Sequence, residues 1–196
     1  VGSTTQSLTP LLVTDPATEP SASWAFVATA QYNTCGITSL TNVYCWGRAS
    51  TGTNGNNNTS TNLTQPGPSI VTIASPAGII GSGNTISVWS SAGSYLIWGD
   101  NTYGQCGLGN TTSPQKTPVS GVNSDVKSII SALNSTCTLH VDGSLKCFGR
   151  NHHGQLGIGS TTTKTSPTAV AAAPGNVWAE AGGGLYAVYA YQKLAS

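Results

Sequence analysis

Charge is what this sequence has least of. Only 7% of its residues are Asp, Glu, Lys or Arg, and the formal net charge is +1; an average soluble domain carries about 25%. No basic track is available to hold a phosphate backbone, so nucleic acid is not expected as a partner. No apolar run approaches the roughly 20 residues a membrane helix needs, so membrane insertion is not expected either. Methionine is absent and residue 1 is Val, as expected of a processed or excerpted piece whose leader, if it had one, is gone. The acidic residues Asp15, Glu19, Asp100, Asp125, Asp142 and Glu180 are scattered, with no spacing that suggests a general acid and base. His152-His153, the only histidine cluster, reads as a solvated turn. No serine sits in a nucleophile elbow and no glycine run opens a helix to hold phosphate. The expectation is therefore no catalytic residue, no metal site and no cofactor: not an enzyme.

Polarity comes instead from Ser, Thr, Asn and Gly, a surface that attached glycans would help to dissolve. Trp24, Trp46, Trp89, Trp98 and Trp178 are spread among short Val/Ile/Tyr runs broken by Gly, Pro and Asn, which predicts an all-β fold of many short strands. Three segments align: Val43-Tyr-Cys-Trp-Gly47, Tyr95-Leu-Ile-Trp-Gly99 and Leu145-Lys-Cys-Phe-Gly149, their glycines 52 and 50 residues apart. Two are followed by matching loops, Asn101-Thr-Tyr-Gly-Gln-Cys-Gly-Leu-Gly109 and Asn151-His-His-Gly-Gln-Leu-Gly-Ile-Gly159, each leading to a proline-containing strand at Pro118 or Pro167. A period near 50 residues with several strands per unit points to a propeller or solenoid.

These residues resemble the repeat of the regulator of chromosome condensation family, Trp-Gly-x-Asn-x-x-Gly-Gln-Leu-Gly-x-Gly followed by a proline-led strand. The first unit departs after Gly47, and Cys106 takes the loop-leucine position in the second. The resemblance implies a β-propeller: one repeat domain over 1–196, with about four antiparallel four-stranded blades and the last incomplete. Reading each proline as the start of a blade gives an N-terminal arm and first strand at 1–23 and the rest of blade one at 24–65. Blade two is then 66–116, blade three 117–165 and a partial blade four 166–196.

Cys35 and Cys45 are ten residues apart, as are Cys137 and Cys147, and unit two has Ser87 and Ile97 at those positions. Joint loss of both partners is what a disulfide predicts. A hairpin turn at Val141-Asp142-Gly143 pairs His140 with Ser144, and counting outward sets Cys137 opposite Cys147. Unit two has Gly93 at the turn, whereas unit one has Thr41, so its turn is expected to differ. Two pairs of buried free thiols are the alternative, and no His accompanies either pair at zinc-ligand spacing. Cys106 is expected to be free. Disulfides imply an oxidising compartment, and the glycan-acceptor triplets at Asn57, Asn58, Asn62, Asn110 and Asn134 agree with an extracellular or cell-surface location with covalently attached glycans.

Two functions follow from different uses of the last blade. In the first, the chain is a structural subunit of an extracellular glycosylated assembly, a homo-oligomer or filament. It self-associates through an open edge at Leu185, Tyr186, Val188, Tyr189 and Tyr191, with the Leu8–Val13 arm as a candidate donor strand. In the second, it is a secreted binding module that recognises a protein or carbohydrate through its loops, with Tyr103 at a rim position.

Overall fold

The computed structural model describes residues 12–13, 16, 18–184 and 187–195, and every regular element among them is a strand. Four antiparallel sheets follow one another along the chain. The first contains β1 (Trp24–Thr29), β2 (Asn33–Thr38), β3 (Asn42–Gly47) and β4 (Val71–Thr72). The second contains β5 (Pro76–Ser82), β6 (Thr85–Ser90), β7 (Tyr95–Gly99) and β8 (Gln115–Ser120). The third contains β9 (Val126–Ala132), β10 (Ser135–His140), β11 (Leu145–Gly149) and β12 (Lys164–Val170), and the last has β13 (Asn176–Gly183) and β14 (Val188–Leu194). Strands within a sheet lie in chain order. The first strands are neighbours in turn, β1 with β5, β5 with β9 and β9 with β13, which gives the radial order of propeller blades. Hydrophobic clusters fill each gap between blades: Ile37 and Val43 against Ile86 and Trp98, then Tyr95 and Ile97 with Val126 and Phe148, then Leu139 and Leu145 with Trp178 and Val188. A strand covered on both faces loses polar alternation, and β10 is buried at all six positions.

The blade boundaries fall one strand later than the proline-led expectation. Val119 pairs with Ile97 and Thr168 with Cys147, so the Pro118 and Pro167 strands close blades two and three and do not open the next. Proline lacks the N–H for an inner ladder and belongs at a sheet edge; a blade has two edges, and proline alone does not choose between them. Of the partial blade expected over 166–196, the Pro167 strand therefore belongs to blade three, and β14 begins at Val188. Most of the N-terminal arm, including most of its Leu8–Val13 strand, lies outside the described residues. Its described end folds onto blade one, where the buried Glu19 carboxylate accepts hydrogen bonds from Thr38 Oγ1 (2.7 Å), Tyr44 Oη (2.8 Å) and Asn42 Nδ2.

Trp46, Trp98 and Phe148 occupy matching positions, opposite Thr34, Ile86 and Thr136 in the strand two–strand three ladders. Both disulfides form, Cys35–Cys45 and Cys137–Cys147, between directly paired residues that are no more than 1% exposed. Cys106 is free and buried in the core between blades two and three. Replacing the second bridge by the pair blade two carries (Cys137→Ser/Cys147→Ile) should cost about 2–3 kcal/mol on the loop-entropy scale. A urea midpoint equal to that of the parent would show that the bridge contributes nothing.

The unit-one turn does not differ, contrary to expectation. Thr41 takes φ 68° where Gly93 and Gly143 take 87° and 78°, and in each turn this residue's N–H donates back three residues, to Thr38, Ser90 or His140. The Cys35–Cys45 bridge and the Glu19 contacts hold the flanking strands in the common register, and a β-branched residue is forced into the left-handed region. Thr41→Gly should therefore stabilise the protein by about 0.5–1 kcal/mol, relief of strain outweighing the entropy glycine adds to the unfolded chain. Gly143→Ala should do the opposite, since its Cβ would lie 2.6 Å from that of Val177. Thermal unfolding of the two variants checks both signs.

Candidate functional site

Strand pairing sets Asn33 opposite Gly47, Thr85 opposite Gly99 and Ser135 opposite Gly149. The long loops after β3, β7 and β11 therefore emerge at the same end of the blades as the turns between first and second strands. On this rim one asparagine braces each of the two matching loops. Asn101 is fully buried; its Oδ1 accepts from the Cys106 N–H (2.9 Å) and its Nδ2 donates to the carbonyls of Asn110 (3.1 Å) and Thr112 (3.2 Å). Asn151 repeats the pattern with the Leu156 N–H (2.9 Å) and the carbonyls of Ser160 (2.8 Å) and Thr162 (3.0 Å). Gln105 and Gln155 support the loop tips by accepting from the N–H groups of Tyr103 and His153.

The loops after β3 and β7 also reach the following blade. Trp98 Nε1 donates to the Thr53 carbonyl (2.9 Å), and a Cβ on Gly55 would lie 3.0 Å from the indole nitrogen. Thr136 Oγ1 donates to the Gln105 carbonyl (2.9 Å), and a Cβ on Gly107 would meet the Phe148 ring at 2.8 Å. The third-strand aromatic is thus the seat for the preceding loop, and only glycine lets the backbone approach it so closely. Above this scaffold Tyr103 stands edge-on to His152 (5.9 Å between centroids), and the Arg150 guanidinium carbon lies 5.2 Å from the centre of the Tyr103 ring. Burial alone would raise the Asp100 carboxyl, but the Thr102 hydroxyl and N–H and the Ser113 hydroxyl outweigh it and hold it below its ordinary value.

At the opposite end, a cleft of about 600 Å³ lies between the Val122–Asp125 connection and the Val141–Ser144 turn, with His140 at its base. His140 is 4% exposed. Its Nδ1–H donates to the Ser124 carbonyl (3.0 Å), which leaves Nε2 to accept from Thr138 Oγ1 (3.0 Å) in the neutral ring. Desolvation, then the charge of Lys146, pull its pKa below the ordinary value, against the Ser124 bond and the charges of Asp142 and Asp125. The unfolded chain therefore takes up this proton first as pH falls, so the histidine's contribution is intact above about pH 6.5 and drains away below it, down to the folded pKa. The slope of stability against pH between 7 and 5 should flatten in His140→Gln, measured by urea midpoints; an unchanged slope would contradict the assignment. Desolvation would raise the Glu19 carboxyl, but its three donors outweigh it and hold it below its ordinary value; its contribution drains away only as pH falls from the ordinary carboxyl pKa toward the lowered one, beneath this window.

The model of the Regulator of chromosome condensation (RCC1) repeat matches residues 92–138 and 142–190. Residues 92–190 therefore carry two regulator of chromosome condensation repeats. Solved structures agree on the fold. Prp20p from Saccharomyces cerevisiae superposes with TM-score 0.76 at 14% identity, and human WBSCR16 with 0.69 at 19%. Those superpositions cover 88% and 87% of this chain, which spans 44% of each of those proteins. A comparison with curated protein sequences finds no match. The first matched repeat begins before the third strand of blade two and ends in the second strand of blade three. A regulator of chromosome condensation repeat therefore straddles two blades.

Relative to those repeats, the acceptor asparagines all lie on the loop rim. Asn57, Asn62 and Asn110 are exposed and Asn58 is half-buried, its Oδ1 accepting from the N–H groups of Ser60 and Thr61. Asn134 is half-buried in the β9–β10 turn, and Thr136 of its triplet is buried. Val188 packs inward with Ala190, while Tyr189 and Tyr191 are 70% and 57% exposed; Leu185 and Tyr186 lie outside the described residues. The roles of Asn101, Asn151, His140 and Glu19 were not read from the sequence. For the two asparagines a signal existed, since they recur at one repeat position; a lone strand histidine and a lone carboxylate offer none.

Proposed function

We propose that this chain is a binding module of an oxidising, extracellular compartment that recognises a protein partner through its loop rim. The observation that carries the reading is the pair of loops braced from beneath by Asn101 and Asn151, which present Tyr103, Arg150 and His152 as one preformed surface. Preorganised aromatic and arginine side chains bind at low entropic cost. Prp20p, of the same fold, has been characterised for binding Gsp1p and histones, which supports protein recognition as a use of this fold. Two buried disulfides support the compartment, and exposed Asn57, Asn62 and Asn110 are the acceptors for its glycans. Binding rather than catalysis is the activity proposed. A photo-crosslinking residue at position 152 should yield a discrete protein adduct in the native extracellular mixture, whereas one at Val141, on the opposite end, should not. Equal adducts from both positions, or none from 152, would contradict the reading.

A second reading, self-association into a homo-oligomer or filament, is favoured by the exposed Tyr189, Tyr191 and Leu194 of β14. Tyr189→Ser/Tyr191→Ser should then reduce the mass seen by light scattering; a parent protein that is already monomeric at high concentration would eliminate it.

A further inference from the structure

The chain has only two arginines, Arg48 and Arg150, and they hold the same repeat position, directly after the glycine that ends a third strand. Both backbones are anchored alike: Arg48 N–H donates to the Tyr32 carbonyl (3.1 Å) and Arg150 N–H to the Asn134 carbonyl (2.8 Å), each in the turn between first and second strands. Both guanidiniums lie over a tyrosine, Arg48 at 5.0 Å from the Tyr32 centroid and Arg150 at 5.2 Å from that of Tyr103. A ring face holds a guanidinium without using its N–H donors. Arg150 Nε is buried without a hydrogen-bond partner, and the neighbour recorded for each guanidinium is a tyrosine ring rather than a carboxylate. Blade two carries Asp100 at this position, and its carboxylate is already served by Thr102 and Ser113. Three successive blades therefore present positive, negative and positive charge at equivalent points of one rim.

We propose that Arg48 and Arg150 are a carboxylate-reading pair, and that the partner is a protein segment with two acidic side chains flanking a basic one. This rests on the reading of the rim as a protein-binding surface and names its chemistry. A guanidinium fork matches a carboxylate with two parallel hydrogen bonds. A polyanion such as a sulfated polysaccharide fits poorly, because it needs a continuous basic track and Asp100 interrupts this one.

The probes are fluorescent Gly/Ser peptides carrying Glu, Lys and Glu, the two Glu roughly 4–16 residues apart to sample extended spans at about 3.3 Å per residue. Counterparts replace Glu by Gln, and heparin serves as the polyanion. At low salt at least one Glu-Lys-Glu peptide should bind about tenfold tighter than its Gln counterpart, and Arg48→Gln and Arg150→Gln should each lose about five- to tenfold. Arg150→Lys should recover only part of that loss. A double Arg→Glu variant, with unchanged circular dichroism, should instead prefer a Lys-Lys-Lys peptide to the Glu-Lys-Glu one, because Asp100 still faces the central residue. The proposal is overturned if no peptide exceeds its Gln counterpart, if heparin binds and the peptides do not, or if both Arg→Gln variants bind as the parent does. A crosslinked adduct at position 152 that forms equally well in Arg48→Gln/Arg150→Gln would leave the rim as a protein-binding surface and remove only the carboxylate pair. Loss of the adduct from the parent itself would remove the rim reading.

Discussion

Truncating Trp98 to alanine should cost about 4–5 kcal/mol, the upper part of the range for a large buried aromatic. The side chain is fully buried and lies between two blades, among Ile37, Val43, Ile86 and Val88. It also carries the one indole hydrogen bond that ties the blade-one loop to blade two, to the Thr53 carbonyl. Alanine would open a cavity there and leave that carbonyl without its donor, and the Gly55 backbone that rests on the ring would lose its floor. Trp98→Phe separates the two contributions. Blade three already uses Phe148 at this position, fully buried, so the phenyl ring suits the seat. The loss should then shrink to about 1–2 kcal/mol, the cost of the missing hydrogen bond and a little volume. Urea unfolding of both variants gives the comparison, and an alanine variant no worse than the phenylalanine one would show that the loop does not depend on its seat.

Asn151→Ala is the second large effect, about 3 kcal/mol or more. The side chain serves three backbone groups at once, and its removal orphans the Leu156 N–H and the carbonyls of Ser160 and Thr162. Each group costs about 1–3 kcal/mol when buried without water, and partial access of water to the loop reduces the sum. Asn151→Asp is the sharper variant. It keeps an acceptor for Leu156 but sets a negative charge against two carbonyl oxygens, so it should do no better than alanine above the carboxylate range. Recovery of stability in the aspartate variant at acid pH, where the protonated carboxyl can donate once, would distinguish the brace from simple packing. The equivalent variants at Asn101 should behave the same way, since the hydrogen-bond pattern is shared.

Local pairing was readable from the sequence, and the grouping of strands into blades was not. The Cys137–Cys147 register followed from one hairpin turn and an equal count outward, because antiparallel neighbours leave no other freedom. Blade phase needed to know which edge a proline strand occupied, and the chemistry of proline is the same at both edges. Thr41 misled because tertiary restraints on both flanking strands overrode its own φ preference. The acceptor triplets could be located, but whether Thr136 faces solvent or the core depends on the neighbouring blade's loop. Tyr103 was placed on the rim from its loop position, yet its cation and histidine neighbours come from the next blade. Contacts between repeats are the part of the site that a single repeat cannot reveal.

The central claim is that the rim is a preformed surface held from below. Amide hydrogen exchange tests it most directly, at the Cys106 and Leu156 N–H groups that bond to Asn101 and Asn151. Although both lie in loops, their protection should approach that of the β10 amides, because opening them requires releasing a buried side chain. Exchange as fast as that of the exposed Thr111 or Thr161 amides in the same loops would contradict a preformed rim.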